Sequence, residues 1–341
     1  MDLSTTYLGM KLPHPLMAGA SPLADELDAV KQLEDAGSAA IVLRSLFEEQ
    51  IVAEEMADLV YQDGNSESSA EAASYFPDAG MFVLGPDEYL NHLRRVKESV
   101  NIPVIASLNG ATAGGWLSYG RLLEEAGADA LELNVYHGVL DPRKSGGEIE
   151  RETIAMVREM KRQVKIPVAV KLAPFFTAFA HFVTQIDEEG ADGLVLFNRY
   201  YGTDIDVQEL LVTRTLHLSD SSELLLRLRA IAAVAPLVRG SIAVTGGVHT
   251  AIDAVKSVMA GAHATQMVSA LLKHGPGHLR NVRRDLENWM EENEWSSLAE
   301  MRGNMAVDKA PNPEVYERSN YMMLLQNRNH FQERRNAAGN Y

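Results

Sequence analysis

The chain of 341 residues contains no cysteine. That absence excludes disulfides, thiolate zinc sites, cysteine-ligated iron–sulfur clusters within the chain and cysteine nucleophiles. Long apolar runs are also missing, since none approaches the ~18 residues of a membrane span. The opening stretch MDLSTTYLGM has no basic region leading into an apolar core, so no secretory leader is expected and a cytoplasmic location is. Positive charge is scarce. The balance of 31 Lys+Arg against 47 Asp+Glu leaves a formal net charge of −16, which repels phosphate backbones and anionic lipid surfaces. Nucleic acid and membrane are therefore not expected as partners, and a small-molecule substrate is. His181, His249 and His263 stand alone, without HxH or HExxH spacing, so no metal site is expected.

What is present is a repeat. EDAGSAAIVL (34–43), EEAGADALEL (124–133), EEGADGLVLF (188–197) and MAGAHATQMV (259–268) each read as a helix end, a glycine and an apolar strand. Gly37, Gly127, Gly190 and Gly261 sit where a helix needs a left-handed residue to stop it. NIPVIASL (101–108) and KIPVAVKL (165–172) start strands on a proline, at a position with no ladder donor to lose. Eight short apolar runs result, at 15–20, 39–44, 103–108, 130–135, 167–172, 193–198, 241–247 and 264–270. With 46% hydrophobic residues the chain can bury one large core. The expected fold is a single eight-stranded (β/α)8 TIM barrel over residues 1–302, with a tail over 303–341 that packs on the barrel or on a partner subunit.

Amphipathic segments separate the strands. In 145–164, Ile149, Ile154, Val157 and Met160 recur at helical spacing, and in 283–295 Leu286, Trp289 and Met290 form the apolar side of an acidic helix. A doubly wound open sheet would ordinarily carry a Gly-rich fingerprint after its first strand, and PLMAGASPL is not one. Two inserts fall after strands, on the expected catalytic face. One is 48–85, whose DGNSESSAEAAS (63–74) reads as a loop. The other is 200–222, where QELLVTRTLHLS reads as an extra strand pair.

Strand C-terminal ends are where barrel enzymes gather their chemistry. Lys171 lies inside the apolar VAVKLAP and is directed into the barrel mouth, where burial demands an anionic answer. The bland alternative is that it snorkels to solvent or pairs with Glu132. Asn134 and Asn198 end apolar strands, where their amides either satisfy a heterocycle of mixed donors and acceptors or cap the strands. VTGGV (244–248) places Gly246 and Gly247 at a strand–helix junction, a backbone-amide nest for a phosphate. Val268 and Ser269 end the next strand, and the loops after strands seven and eight are the usual phosphate site of these barrels. A phosphorylated ligand is expected. One enzyme class consistent with these residues is a Schiff-base aldolase using Lys171, with a substrate phosphate on the Gly246–Gly247 nest.

At these residues the chain resembles the dihydroorotate dehydrogenase family, most closely its soluble single-domain branch, over nearly all of 1–300. TTYLGMKLPHPLMAGAS, IVLRS, LELN, VAVKLAP, LVLFNR, AVTGGV and SALLKHGP fall in that family's order and spacing. The resemblance implies an oxidoreductase using FMN, with hydride transfer between the flavin and a small cyclic or unsaturated substrate. It implies cofactor contacts at Ala18, Gly19 and Ala20, at Arg44 and Ser45, and at Asn134, Lys171 and Asn198, the two asparagines also touching substrate. It puts the phosphate on Gly246, Gly247, Val268 and Ser269, and Lys171 beside the flavin, where a fixed charge stabilises the anionic reduced form. A homodimer and a separate electron-acceptor protein are further implications.

The chain departs from that family's pattern at three places. Arg44 stands where the family has lysine before Ser45. NVYHGV replaces an asparagine motif with a cysteine or serine base, which puts His137 at the base position. AASYFPDAG (72–80) replaces an asparagine-rich substrate motif. Gly138, Gly146 and Gly147 would let the 137–147 loop close as a lid. These changes make dihydroorotate an expected poor reductant, and leave open a flavin-binding protein without dehydrogenase activity.

Overall fold

The computed structural model describes residues 1–54, 85–112, 114–137, 140–199, 202–316 and 318–326. The expected 63–74 loop, the 72–80 stretch and Gly138 lie outside the described residues. The chain opens with a hairpin of β1 (Thr5–Tyr7) and β2 (Met10–Leu12), in register Thr5 to Leu12. Parallel strands then form a closed barrel: β3 (Leu16–Ala18), β4 (Ile41–Val42), β5 (Leu46–Phe47), β6 (Val104–Gly110), β7 (Ala130–Val135), β8 (Val168–Leu172) and β9 (Gly193–Leu196). An antiparallel hairpin, β10 (Gly202–Asp206) with β11 (Leu211–Thr215), precedes the last two barrel strands, β12 (Ser241–Thr245) and β13 (Ala264–Met267). β13 pairs with β3 and β3 with β4, while β4 and β5 both pair with β6, which closes an eight-position ring.

Helices α1 (Leu27–Asp35), α2 (Pro86–Ser99), α3 (Tyr119–Glu125), α4 (Gly146–Gln163), α5 (Phe179–Glu188), α6 (Leu224–Val234), α7 (Ala251–Ala260), α8 (Ser269–His274) and α9 (His278–Glu292) follow the strands. The period-two alternation of the strands divides the core. On β8, Val168, Val170 and Leu172 join the cluster between barrel and helices, whereas Ala169 joins the axial one with Ala130, Val195, Ala243 and Ala264. Lys171 shares the parity of Ala169, so the strand delivers it to the axis. Small residues along the axis make room for the amino-terminal hairpin, whose Tyr7, Leu8 and Leu12 pack among them and plug the floor.

Two quasi-repeats anchor strand starts. Pro103 and Pro167 contribute carbonyls to Ile41 and Leu131, and the following amides, of Val104 and Val168, donate to Asp129 and Asp192 at 2.7 Å. Lys97 and Lys161, in the last turns of α2 and α4, pair with the same two aspartates at 2.6 Å. Gly37, Gly127, Gly190 and Gly261 all have positive φ, from 88° to 127°, as a left-handed helix stop requires. On α4 the buried stripe is Thr153, Met156, Val157 and Met160, with Ile149 and Ile154 at its half-buried margin. The stripe is rotated from the all-apolar reading because Thr153 is buried against His137. On α9, Leu286 and Met290 are buried and Trp289 flanks them. Past 302, the Met305 and Val307 amides donate to carbonyls of Met259 and Ala232, and the Tyr316 hydroxyl donates to the Met305 carbonyl. Among the described residues, no helix is long and apolar enough to cross a membrane.

Candidate active site

The polar row at the mouth is set by strand register. Asn109 on β6 lies opposite Asn134 on β7, and Asn134 opposite Lys171 on β8. Asn198, just past β9, donates its amide to Asn134 Oδ1 at 2.8 Å. Beneath this row Lys171 Nζ donates to Glu132 Oε1 at 2.9 Å, and Gln266 Nε2 donates to Glu132 Oε2 at 2.6 Å. Lys171 is 6% exposed and Glu132 1%, so the charge pair is taken out of water and held by a hydrogen-bonded triad. Lys171 thus pairs with Glu132 and does not snorkel. Below the triad sits Tyr7, whose phenol is pushed up by burial and then by the nearby Glu132 charge.

Strand two is broken where the mouth needs it to be. β4 pairs with β6 up to Val42 opposite Ile105, and β5 resumes at Leu46 opposite Leu108, instead of one run over 39–44. The Tyr89 hydroxyl, from α2, fills the gap by accepting from Ser107 N at 3.2 Å and donating to Ser107 O at 3.3 Å. A ladder vacancy is thereby satisfied by a side chain. The two residues freed from the ladder are Arg44 and Ser45. Ser45 Oγ lies 2.8 Å from Ser107 Oγ, and Arg44 pairs with Asp25, in the loop after β3, through Nε to Oδ1 at 3.1 Å and Nη2 to Oδ2.

A second cluster forms after β12 and β13. Gly246 and Gly247 have φ of +82° and +84°. A Cβ on Gly247 would stand 2.5 Å from Leu224 N, and one on Gly246 would meet the Arg227 guanidinium at 2.5 Å. Only glycine fits both the backbone and the space. Gly247 N donates to Ser219 Oγ at 3.3 Å, and Ser219 N donates to Ser269 Oγ at 3.0 Å. Lys273 reaches the Ser219 carbonyl at 2.8 Å, and His249 Nε2 lies 3.3 Å from Ser219 Oγ. Burial, then Lys273, holds the His249 imidazole below the usual histidine range. Across the gap, a Cβ on Gly19 would lie 2.7 Å from Val268 Cγ2, so the Ala18–Gly19–Ala20 backbone packs directly on this loop.

The Gly247 amide, the Ser219 and Ser269 hydroxyls and Lys273 therefore converge beside a close-packed backbone edge. This donor set suits one phosphate, as in FMN, and the amide row on the neighbouring strands suits the edge of a heterocyclic ring. Ser219, like Tyr89 and Asp25, is a residue that sequence reasoning missed. It lies in LHLSDS at the end of the strand-six insert, with no local pattern to mark it, and is nonetheless buried.

His137 is set apart from this row. It follows β7, and its Nε2 lies 3.0 Å from Thr153 Oγ1, which itself donates to the Ile149 carbonyl at 3.0 Å. The imidazole is tied to α4 through Nε2, and among the described residues Nδ1 has no hydrogen-bond partner. Burial is the main cause that lowers its pKa from the ordinary histidine value, with Glu152 opposing and Lys144 adding to the effect. Gly146 and Gly147 begin α4, where Ser145 and Glu148 form a capping box. They thus belong to an ordered helix start rather than to the body of a loop. Among the described residues no group of three His, Asp or Glu side chains could hold a metal ion.

The sequence matches the family described as dihydroorotate dehydrogenase over residues 68–290. It is 27% identical over 310 residues to the dihydroorotate dehydrogenase B (NAD(+)) catalytic subunit of Thermoplasma acidophilum, covering 89% of this chain and 98% of that protein. It is 25% identical over 325 residues to the NAD-dependent dihydropyrimidine dehydrogenase subunit PreA of Escherichia coli, covering 89% of this chain and 76% of that one. A 22% identity over 328 residues relates it to the chloroplastic dihydropyrimidine dehydrogenase (NADP(+)) of Arabidopsis thaliana, again with 89% and 76% covered.

Proposed function

This chain belongs to the dihydroorotate dehydrogenase family, and from that premise we propose that it is an FMN-dependent oxidoreductase acting on a small cyclic or unsaturated substrate. The observation that carries the reading is the placement of two donor sets on one face of the barrel. The cradle of Gly247, Ser219 and Ser269 would hold the phosphate, and the row of Asn134, Asn198 and Lys171 would meet the ring. When bound, FMN supplies the two-electron acceptor for a hydride. Lys171, fixed by Glu132, presents a preorganised cation beside the ring edge and pays no reorganisation at the moment of reaction. The Asn198 to Asn134 hydrogen bond commits one amide group of each residue, so Asn134 Nδ2 and Asn198 Oδ1 are the atoms left to orient a substrate. His137 Nδ1 takes the proton.

The Schiff-base reading asks for a free amine lone pair at Lys171, and the buried pairing with Glu132 opposes that. Binding without turnover is distinguished by experiment. Anaerobic stopped-flow mixing of the flavin-loaded protein with a panel of dihydropyrimidines is expected to bleach the oxidised flavin band. His137→Ala should slow the bleaching by ~10²–10⁴-fold if the proton transfer is assisted. A base works when neutral, and the imidazole pKa is lowered. The bleaching rate should therefore rise with pH through a midpoint below the ordinary ~6.5 of histidine and be flat at neutral pH. Absence of bleaching by every member of the panel would identify a flavin-binding protein without this activity.

A further inference from the structure

Beside the phosphate cradle stands a titratable ring, His249, for which the flavin reading above, on which its role rests, has no use. His249 follows the Gly246–Gly247 turn, and its backbone is fixed from two sides. Its amide donates to Asp253 Oδ2 at 3.0 Å, and its carbonyl lies 2.8 Å from His278 Nε2. The half-buried ring lies against Ser219, with Nε2 3.3 Å from Ser219 Oγ.

A serine hydroxyl has one proton to donate and two lone pairs that accept. At Ser219 one lone pair accepts from Gly247 N at 3.3 Å. A neutral His249 with its proton on Nδ1 takes the hydroxyl proton onto Nε2 as a hydrogen bond, and Ser219 then has no donor for a ligand. A protonated ring reverses the direction. Its Nε2–H donates to Oγ, fills the second lone pair and releases the hydroxyl proton to point at a phosphate oxygen. A phosphate in this cradle thus gains a serine donor, and a second cation beside Lys273, only when the ring is charged.

The surroundings leave the ring poised for that change. Burial is the largest influence and lowers its pKa, and Lys273 from α8 lowers it further. Asp253 in the first turn of α7 and Asp220 ahead of α6 oppose them, and His278 from α9 adds a small lowering effect. The ring is therefore neutral at pH ~7.5 while the cradle holds no anion. A phosphate ester, nearly dianionic at neutral pH, favours the charged ring. We propose that His249 is a phosphate-binding residue of the cradle that engages as the imidazolium, so that cofactor binding draws a proton from solvent onto Nε2.

The sign of the pH dependence follows. Affinity for the phosphate is highest below the pKa of the ligand-free ring, where the ring is charged in both states, and falls as pH rises toward the raised pKa of the ligand-bound ring. The second ionisation of the phosphate, near pH ~6, acts in the opposite sense, so pH ~7.5 isolates the imidazole. The test is calorimetric titration at that pH of the full-length protein, stripped of flavin, in two buffers of different ionisation enthalpy. The two probes are FMN and riboflavin, which has the same ring system and no phosphate. Net proton uptake is expected with FMN and none with riboflavin. His249→Gln should abolish the uptake and weaken FMN about tenfold, the loss of one charge-assisted hydrogen bond, while riboflavin stays within about twofold. His249→Lys, charged throughout this range, should bind FMN without uptake and hold its affinity between pH ~6.5 and ~8.5. Binding of FMN without proton uptake, or uptake that survives in His249→Gln, would overturn the proposal. Equal losses of FMN and riboflavin in His249→Gln would also overturn it, by marking a structural residue. Failure of the unaltered protein to bind either flavin contradicts the flavin reading itself, and the proposal falls with it.

Discussion

Lys171 was legible in the sequence because a charge inside VAVKLAP has nowhere to go but the barrel axis; Glu132 entered only within the bland alternative, and the strand register explains the pairing, since Glu132 shares that parity one strand away. Ser219, Tyr89 and Asp25 were not legible. Each acts across a distance of sequence that no local pattern records: Tyr89 reaches Ser107, Ser219 reaches Gly247 and Ser269, and Asp25 reaches Arg44. The pairing of Lys171 leads to a prediction that separates its structural from its chemical role. Lys171→Ala leaves Glu132 buried and uncompensated, so it should destabilise the protein by ~3–5 kcal/mol as well as weaken flavin retention. The double variant Lys171→Met/Glu132→Leu removes both charges and should recover most of that stability without restoring flavin binding. Denaturant midpoints and flavin occupancy measure the two effects independently. A double variant that regains both would reduce Lys171 to a structural residue.

Among the elements, the barrel strands were readable from their apolar runs, and the αβ junctions from the repeated glycine. Barrel strand two was read as continuous, because sequence shows that Arg44 and Ser45 follow an apolar run but not that a tyrosine replaces the missing ladder contacts. The strand seven to helix junction carries the cofactor argument, and Gly247 tests it against Gly190, a glycine of similar φ with nothing within 4 Å of its would-be Cβ. Gly190→Ala should cost only the left-handed backbone strain of ~1–3 kcal/mol and keep its flavin. Gly247→Ala adds a Cβ at 2.5 Å from Leu224 N, so it should also push the start of α6 off the cradle and lose FMN on gel filtration. Equal flavin retention in the two variants would place the phosphate elsewhere.

For the whole molecule, the eight apolar runs and the αβ repeat were enough to predict closure into an eight-position barrel, and the strand pair expected after strand six at QELLVTRTLHLS covers β11 but not β10. The net charge of −16 repels polyanions at long range, and locally Lys171 pairs with Glu132, Arg44 with Asp25 and Arg199 with Glu223. The polar chemistry gathers at the C-terminal ends of β6, β7, β8, β12 and β13, on one face, where the phosphate cradle is proposed. The most direct test of the account is therefore the mass of the cofactor released from purified protein by denaturation. The account predicts FMN at about one per chain, because one cradle binds one phosphate; release of FAD, or of no flavin after reconstitution with FMN, would contradict it.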